Sequence, residues 1–506
     1  MLRPLPNSGV GPFGGRYVKR AAVRVEALPG VEPQTTASAP QVAWSLVAQN
    51  AFCVVPAAVL FALGSPPSGA KLFFTVLLLF LARYILLKDR IGFISLTVSV
   101  IPALMTYRGF FFYNVVSGIL MLGVLLWLFA APREVFYSCK NPRLRWLLFL
   151  AGCYWFLSYF LTKDYVSNLR VLELAATVVC IQLLVRYWNI FVTTLIGVGV
   201  SIFSIGCGFL PHGGARLGMA DFEGFTIGNP MTLGVPLALI FVLAFTDNGK
   251  WLFLEKHPYW RVAVCLAACA FLVLSTARGS WAVLAMNVAV LLLINRRQRG
   301  MLIALMGLFV LVIIMLLSTS WGGAVEDSFD RTFSSERSVA NSTSGRSDQW
   351  WLLPEVVQDS PIWGFGPGSG DSIYARYSLR YNMYLSGKRQ AWHALYMHIL
   401  VEAGLIGLVA VICLLLPLVS HGIKHWRLSG DTVPLLSILS YLVIGLSVIG
   451  MDAASGLFLG LAFLSENWKP ARSFRVQHSG RERLLPALLR NRVAANSLHA
   501  LKSPGA

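Results

Sequence analysis

The chain has 506 residues, 56% of them hydrophobic and only 13% charged, and Lys and Arg outnumber Asp and Glu by 42 to 23. A soluble domain is about a quarter charged, so this composition excludes a soluble enzyme, a disordered tail and a secreted disulfide scaffold. It describes a polytopic membrane protein whose few charges are mostly cationic.

Taken in chain order, residues 1–41 carry Arg3, Arg16, Lys19, Arg20 and Arg24 without an apolar core. They read as a basic cytoplasmic tail rather than a cleavable signal peptide. Apolar runs long enough to cross ~30 Å of hydrocarbon then recur near 42–63, 70–87, 91–107, 110–131, 145–162, 169–187 and 188–210. Seven more lie near 230–246, 259–276, 279–295, 300–318, 395–419, 433–449 and 453–466. Several are at the short end of the spanning range, so the expected fold is an all-α transmembrane helix bundle of about 12–14 spans. Turn and charge signals separate them, among them Ser65-Pro66-Pro67, Asn141-Pro142-Arg143 and Arg296-Arg297-Gln298-Arg299. The expected layout is a bundle over 42–318, one large outer loop over 319–394 carrying short helices, C-terminal helices over 395–466 and a basic tail over 467–506. In that tail Arg481–Leu501 alternates Leu with Arg, a pattern suited to lying on a membrane surface.

Charge sorting orients the bundle. With strict alternation, 28 of the 42 Lys and Arg residues fall on the side of the two tails, six in short loops on the other side and seven in the 319–394 loop. Cytoplasmic loops collect cations, and long loops are exempt from the rule. Both termini are therefore expected inside and the large loop outside. The cations mark topology and are not gathered on a soluble module, so no nucleic-acid partner is implied; the bilayer is the partner. The eight cysteines lie mostly in apolar runs. Cys265 and Cys269 share a helix face without a His or carboxylate beside them and read as small core residues, so no disulfide framework or metal site is expected.

The outer loop holds two expected short helices. Ser347-Asp348 can cap a turn through Gln349-Trp350-Trp351-Leu352-Leu353, which Pro354 should disturb. Further on, Tyr374, Tyr377, Tyr381 and Tyr384 recur at helical spacing. This stripe reads as an amphipathic helix at the membrane interface, with a sugar-stacking platform as the alternative. The run Gly364-Phe365-Gly366-Pro367-Gly368-Ser369-Gly370 lacks the Lys-Ser/Thr ending of a nucleotide loop and reads as a turn bringing loop and membrane together.

Groups able to do chemistry cluster on the outer side. His393 stands at the mouth of the span that begins near 395, where an imidazole reached by water can act as a general base. His398 and Glu402 lie deeper on one face, at i, i+4 spacing. A carboxylate in a membrane helix is a functional candidate by default, although a simple His398–Glu402 pair inside a packed bundle explains it equally well. Arg216, Arg278 and Arg346 all fall in outer segments, and guanidinium binds phosphate bidentately. Each alone could equally be a structural or snorkelling charge.

These residues resemble the O-antigen ligase and polymerase superfamily of bacterial envelope enzymes, over roughly 259–420. The ligase motif is His, then Asn, Ser or Gln, nine residues, Gly, two residues and Gly-Thr-Glu. His393, Gly404 and Gly407 fit it, whereas Ala394 replaces the amide or hydroxyl residue and Leu408-Val409 replaces Thr-Glu. The family's two arginines fall on Arg278 and Arg346, and Pro361–Gly370 resembles its Pro…Gly-x-Gly segment. The resemblance implies a metal-independent, inverting glycosyltransferase of the bacterial inner membrane with no cofactor. Its donor would be a saccharide on undecaprenyl diphosphate, held by Arg278 and Arg346, with His393 as base and Arg216, His398 and Glu402 in support. The acceptor would be lipid A–core in a ligase, or another glycan in an O-antigen or exopolysaccharide polymerase; a protein O-oligosaccharyltransferase is a further branch. A lipid-linked sugar transporter is the alternative of another class, but no internal repeat of the kind transporters carry is present.

Overall fold

The computed structural model of the protein describes residues 42–467, apart from 108–114, 139–140, 163–164, 212–218, 223–224, 229, 247–250, 253, 255–256, 276, 321, 324, 327–345, 383–391 and 448–449. Proline and short polar residues open its helices. Pro66, Pro142 and Pro258 occupy first helical positions, where the missing N–H costs nothing. Asp89, Asn141 and Asp452 cap their helices through side-chain oxygens that accept from Gly92, Arg143 and Ser455 N–H groups.

The first half of the chain forms α1 (Trp44–Ala62), α2 (Pro66–Leu86), α3 (Arg90–Ser99), α4 (Ile101–Tyr107), α5 (Val115–Ala130), α6 (Pro132–Ser138), α7 (Pro142–Leu161), α8 (Tyr165–Leu184) and α9 (Trp188–Phe209). A short antiparallel hairpin, β1 (Met219–Phe222) with β2 (Phe225–Gly228), leads into α10 (Pro230–Thr246), α11 (Pro258–Leu274), α12 (Arg278–Ile294) and α13 (Arg299–Leu317). Then come α14 (Arg346–Asp359), α15 (Gly370–Arg380), α16 (Leu395–Ser429), α17 (Val433–Ser447) and α18 (Ala453–Ala462). Each of the fourteen apolar segments read from the sequence contains a helix or, at 91–107, a broken pair of helices. Among the described residues six helices are long and apolar enough to cross a membrane, or seven when α3 and α4 count as one bent span, and six further apolar helices are shorter. The protein is an all-α polytopic membrane protein, with the small hairpin as its one described β element.

Close backbone approach organises the first half. A Cβ on Gly69 of α2 would lie 2.6 Å from the Ala57 carbonyl oxygen, and one on Gly208 of α9 would lie 2.9 Å from that of Ala58. Small residues thus let α2 and α9 pack directly on α1, which is how membrane helices gain contact when lipid is as apolar as their side chains. By contrast, α13 buries only Leu302 and Leu305 and leaves half of its apolar side chains exposed, as a lipid-facing helix does.

Two membrane segments are broken. Between α3 and α4 the chain bends by 57° at Val100, because Pro102 has no N–H to continue the ladder and its ring crowds the preceding turn. The buried Ser99 carbonyl there accepts the Ser201 hydroxyl at 2.8 Å, and Asn50 donates to Ser99 and Ser201 Oγ at 2.9 and 3.1 Å. The second break lies in α16, at Gly404. That helix runs ten residues beyond the expected end at 419, until Gly430 closes it in the left-handed conformation with its N–H on the Trp426 carbonyl at 2.8 Å.

Candidate active site

In an unbroken helix the N–H groups of Leu405 and Ile406 would bond the carbonyls of Val401 and Glu402. Here both bonds are open, and the segment 361–366 fills them. Phe365 and Gly366 donate to the Val401 and Glu402 carbonyls, each at 2.9 Å, while Leu405 and Ile406 donate to the Pro361 and Ile362 carbonyls at 2.9 and 3.3 Å. The loop segment is spliced into the helix, so the two carbonyls and two N–H groups that the break opens are each paired. Glycine is required on both partners. Gly404 has φ +60 and a Cβ there would lie 2.3 Å from the Ile362 oxygen; Gly364 has φ +67 and a Cβ there would lie 2.5 Å from the Glu402 carbonyl carbon. This explains in one stroke the first glycine of the His-to-Gly spacing and the Gly-rich run. The 361–366 segment of the 319–394 loop is therefore built onto the membrane helix rather than standing apart from it.

Glu402 lies in the turn before the break and is 1% exposed. Its carboxylate accepts the N–H groups of Gly368 at 2.7 Å and Gly370 at 2.8 Å, and the hydroxyl of Tyr154 from α7. Gly370 is the first residue of α15, so the carboxylate also sits where the helix dipole favours negative charge. His398 Nε2 is 3.0 Å from the Tyr154 oxygen and 3.6 Å from Glu402. The i, i+4 pair expected from the sequence is present, but its main partners are the loop backbone and Tyr154. Thr162, just past α7, donates to the Pro367 carbonyl at 3.0 Å and ties that helix to the same loop.

His393 lies at the mouth of α16, half-buried between the fully buried Trp392 and Ala394. Its backbone N–H donates to Oε1 of the buried Gln349 at 2.9 Å. The Trp392 indole donates to the Gly370 carbonyl at 3.0 Å and packs edge-on against Tyr374, with ring centroids 5.8 Å apart. Gln349 belongs to the first turn of α14, which Arg346 opens, so the backbone of Arg346 stands one turn from the side chain that holds His393. The Arg346 side chain lies outside the described part. Arg278 opens α12 and is half-buried. Next to it, a Cβ on Gly279 would meet Ser447, while Gly445 lies against Leu395 at the start of α16. The last turn of α17 thus touches the beginnings of both α12 and α16, which places Arg278 and His393 at one end of the bundle. Arg216 falls outside the described residues.

The tyrosine stripe needs correction. Tyr374 and Tyr377 are buried and pack with Leu352, Val356, Trp392, Met397 and Val401, so they form neither an interface-lying face nor a sugar platform. Burial and the Asp348 carboxylate push the Tyr374 phenol up, and burial together with the Asp359 hydrogen bond does the same for Tyr377. Tyr381, more exposed, donates to Glu355 at 3.1 Å, and Tyr384 lies outside the described residues. Pro354 does not end α14, which runs on to Asp359; the bond it forgoes would go to the carbonyl of Trp350, an exposed residue.

Sequence reasoning missed Tyr154 and Gln349. Tyr154 is one aromatic among many in α7 and gives no signal. Gln349 does give one: it shares the buried face of α14 with Leu352 and Val356, at i, i+3 and i+7, and a buried amide on an apolar face needs a partner.

Residues 263–412 match the family model described as O-antigen ligase. This stretch is similar to the O-antigen ligase family domain. That domain runs from within α11 to within α16, and so contains Arg278, Arg346, His393, His398 and Glu402, while Arg216 precedes it. It supports a membrane enzyme of the ligase or polymerase type, working with a lipid-linked sugar and a glycan acceptor. No curated protein matches the chain significantly.

In this ligase-type domain the two departures from the motif acquire positions. Ala394 is the N-cap residue of α16 and supplies no side-chain cap, so the missing amide or hydroxyl bears first on the helix end. Val409, in place of the motif's Glu, is exposed on α16.

Proposed function

We propose that the protein transfers a saccharide from undecaprenyl diphosphate to an acceptor hydroxyl at the periplasmic face, with lipid A–core as the acceptor. The observation that carries this reading is the setting of His393: a half-buried imidazole at the mouth of a membrane helix, held through Gln349 by the helix that Arg346 opens. His393 takes the proton from the acceptor hydroxyl as its oxygen attacks the anomeric carbon. The bond from that carbon to the diphosphate breaks, with inversion, and undecaprenyl diphosphate leaves. Arg278 and Arg346 hold the diphosphate and offset the charge that develops on it, with Arg216 in support. The sugar is already activated by its lipid diphosphate, so the reaction needs neither a nucleotide sugar nor a metal. Both termini are placed in the cytoplasm on this reading, which the distribution of Lys and Arg supports.

Deleting the gene and examining envelope glycans tests the reading. Loss of chain attachment, with chains still accumulating on the lipid carrier, supports a ligase. Attachment of single repeat units instead assigns a polymerase, and intact glycans with donor building up on the cytoplasmic side assign a transporter. His393→Ala should cut transfer to a small residual rate while the protein still inserts at normal yield; full activity removes the proposed base.

A further inference from the structure

Glu402 does not face solvent, and three donors already surround its carboxylate: the N–H groups of Gly368 and Gly370 and the hydroxyl of Tyr154. It is therefore poorly placed to exchange protons with a substrate. What it can do is fix geometry. Gly370 is held from both sides, with its N–H on Glu402 at 2.8 Å and its carbonyl on the Trp392 indole at 3.0 Å. The fit is tight, since a Cβ on Gly370 would lie 2.7 Å from Glu402 Oε1 and 3.3 Å from the Trp392 ring. Trp392 is fully buried and immediately precedes His393, whose own N–H is held by Gln349. A continuous path of short contacts runs from the carboxylate through Gly370 and Trp392 to residue 393.

We infer that Glu402 is a positioning residue for the transfer reaction, acting on His393 through Gly370 and Trp392; this rests on His393 being the base. Glu402→Gln preserves size but turns an NH2 group toward one of the two backbone donors, so one contact becomes donor against donor. A fold-only role lowers the yield of inserted protein and leaves turnover per folded molecule unchanged. A positioning role lowers kcat with little change in KM, because it moves the base and not the donor-binding groups.

The test uses the full-length protein purified in detergent, with donor and acceptor supplied as the lipid extract of the deletion strain. Glu402→Gln is expected to lower kcat at least 10-fold with KM for the donor within twofold. Trp392→Phe removes the indole N–H one link nearer the base and leaves the carboxylate in place; it should lower kcat in the same way. In a double-mutant cycle, adding Glu402→Gln to His393→Ala should lower the residual rate by less than twofold, since a displaced base cannot be lost twice. Wild-type kcat in folded Glu402→Gln, wild-type kcat in Trp392→Phe, or full additivity in the cycle overturns the inference. Should Glu402→Gln fail to insert, Trp392→Phe decides alone. If His393→Ala itself is fully active, the reading of the base fails, whatever the Glu402 variants show.

Discussion

The two broken membrane segments solve one problem in different ways. At Val100 the freed Ser99 carbonyl is satisfied by a side chain from another helix, the Ser201 hydroxyl of α9, which Asn50 of α1 in turn holds together with the Ser99 hydroxyl. At Gly404 it is satisfied by the backbone of an extramembrane loop, residue for residue. The first break is a packing device that shapes a bundle. The second is a docking site: it converts a membrane helix into the base on which α14, α15 and the turn carrying His393 are mounted. A break filled by side chains tolerates partial loss, whereas one filled by a spliced strand stands or falls with the strand.

Gly404→Ala should therefore have the largest effect. Its Cβ would collide with the Ile362 carbonyl oxygen, and the residue would be strained at φ +60. Four backbone hydrogen bonds, each contributing about 0.5–1.5 kcal/mol, would be lost together. Transfer should fall at least ~100-fold, and limited proteolysis should cut within 361–370; an uncut, active variant contradicts the docking role.

Gln349→Leu, which removes the acceptor for the His393 N–H, should cost about 10-fold in kcat, roughly one hydrogen bond's worth. Unaltered turnover would mean that α14 does not set the base. At the other break, Ser201→Ala should cost about 1 kcal/mol in denaturant midpoint analysis by leaving the Ser99 carbonyl poorly paired, with transfer within twofold of wild type. A large loss of activity there would erase the contrast between the two breaks. Smallest of all, Ala394→Ser should restore an N-cap to α16 and stabilise the protein by about 0.5–1 kcal/mol, read as a rise in thermal midpoint.

Much of this was legible in the sequence. Hydropathy located each apolar helix because lipid leaves no other way to satisfy backbone, and the His393, Gly404 and Gly407 spacing located the domain. The splice was not legible. Glycines 364 and 404 each announce an unusual backbone, but nothing in a linear pattern says that they announce it to each other. The tyrosine stripe misled for a related reason: helical spacing shows that residues share a face, not what covers it. In the same way Glu402 read as a partner of His398, because an i, i+4 neighbour is visible in sequence and a backbone N–H 32 residues away is not.

The length of α16 also acts as a depth gauge. Lys424 and Arg427 mark its water-exposed end, and twenty residues of helix, at 1.5 Å each, span the ~30 Å of hydrocarbon between headgroup layers. Counting back twenty from Lys424 arrives at Gly404. With Lys424 at one headgroup layer, the break would fall near the opposite hydrocarbon boundary, and Glu402, His398 and His393 would lie on its headgroup side. Trp363, 73% exposed beside the break, falls at the level where indole rings settle in bilayers. A diphosphate anchored in that leaflet would meet the imidazole without either leaving its natural depth.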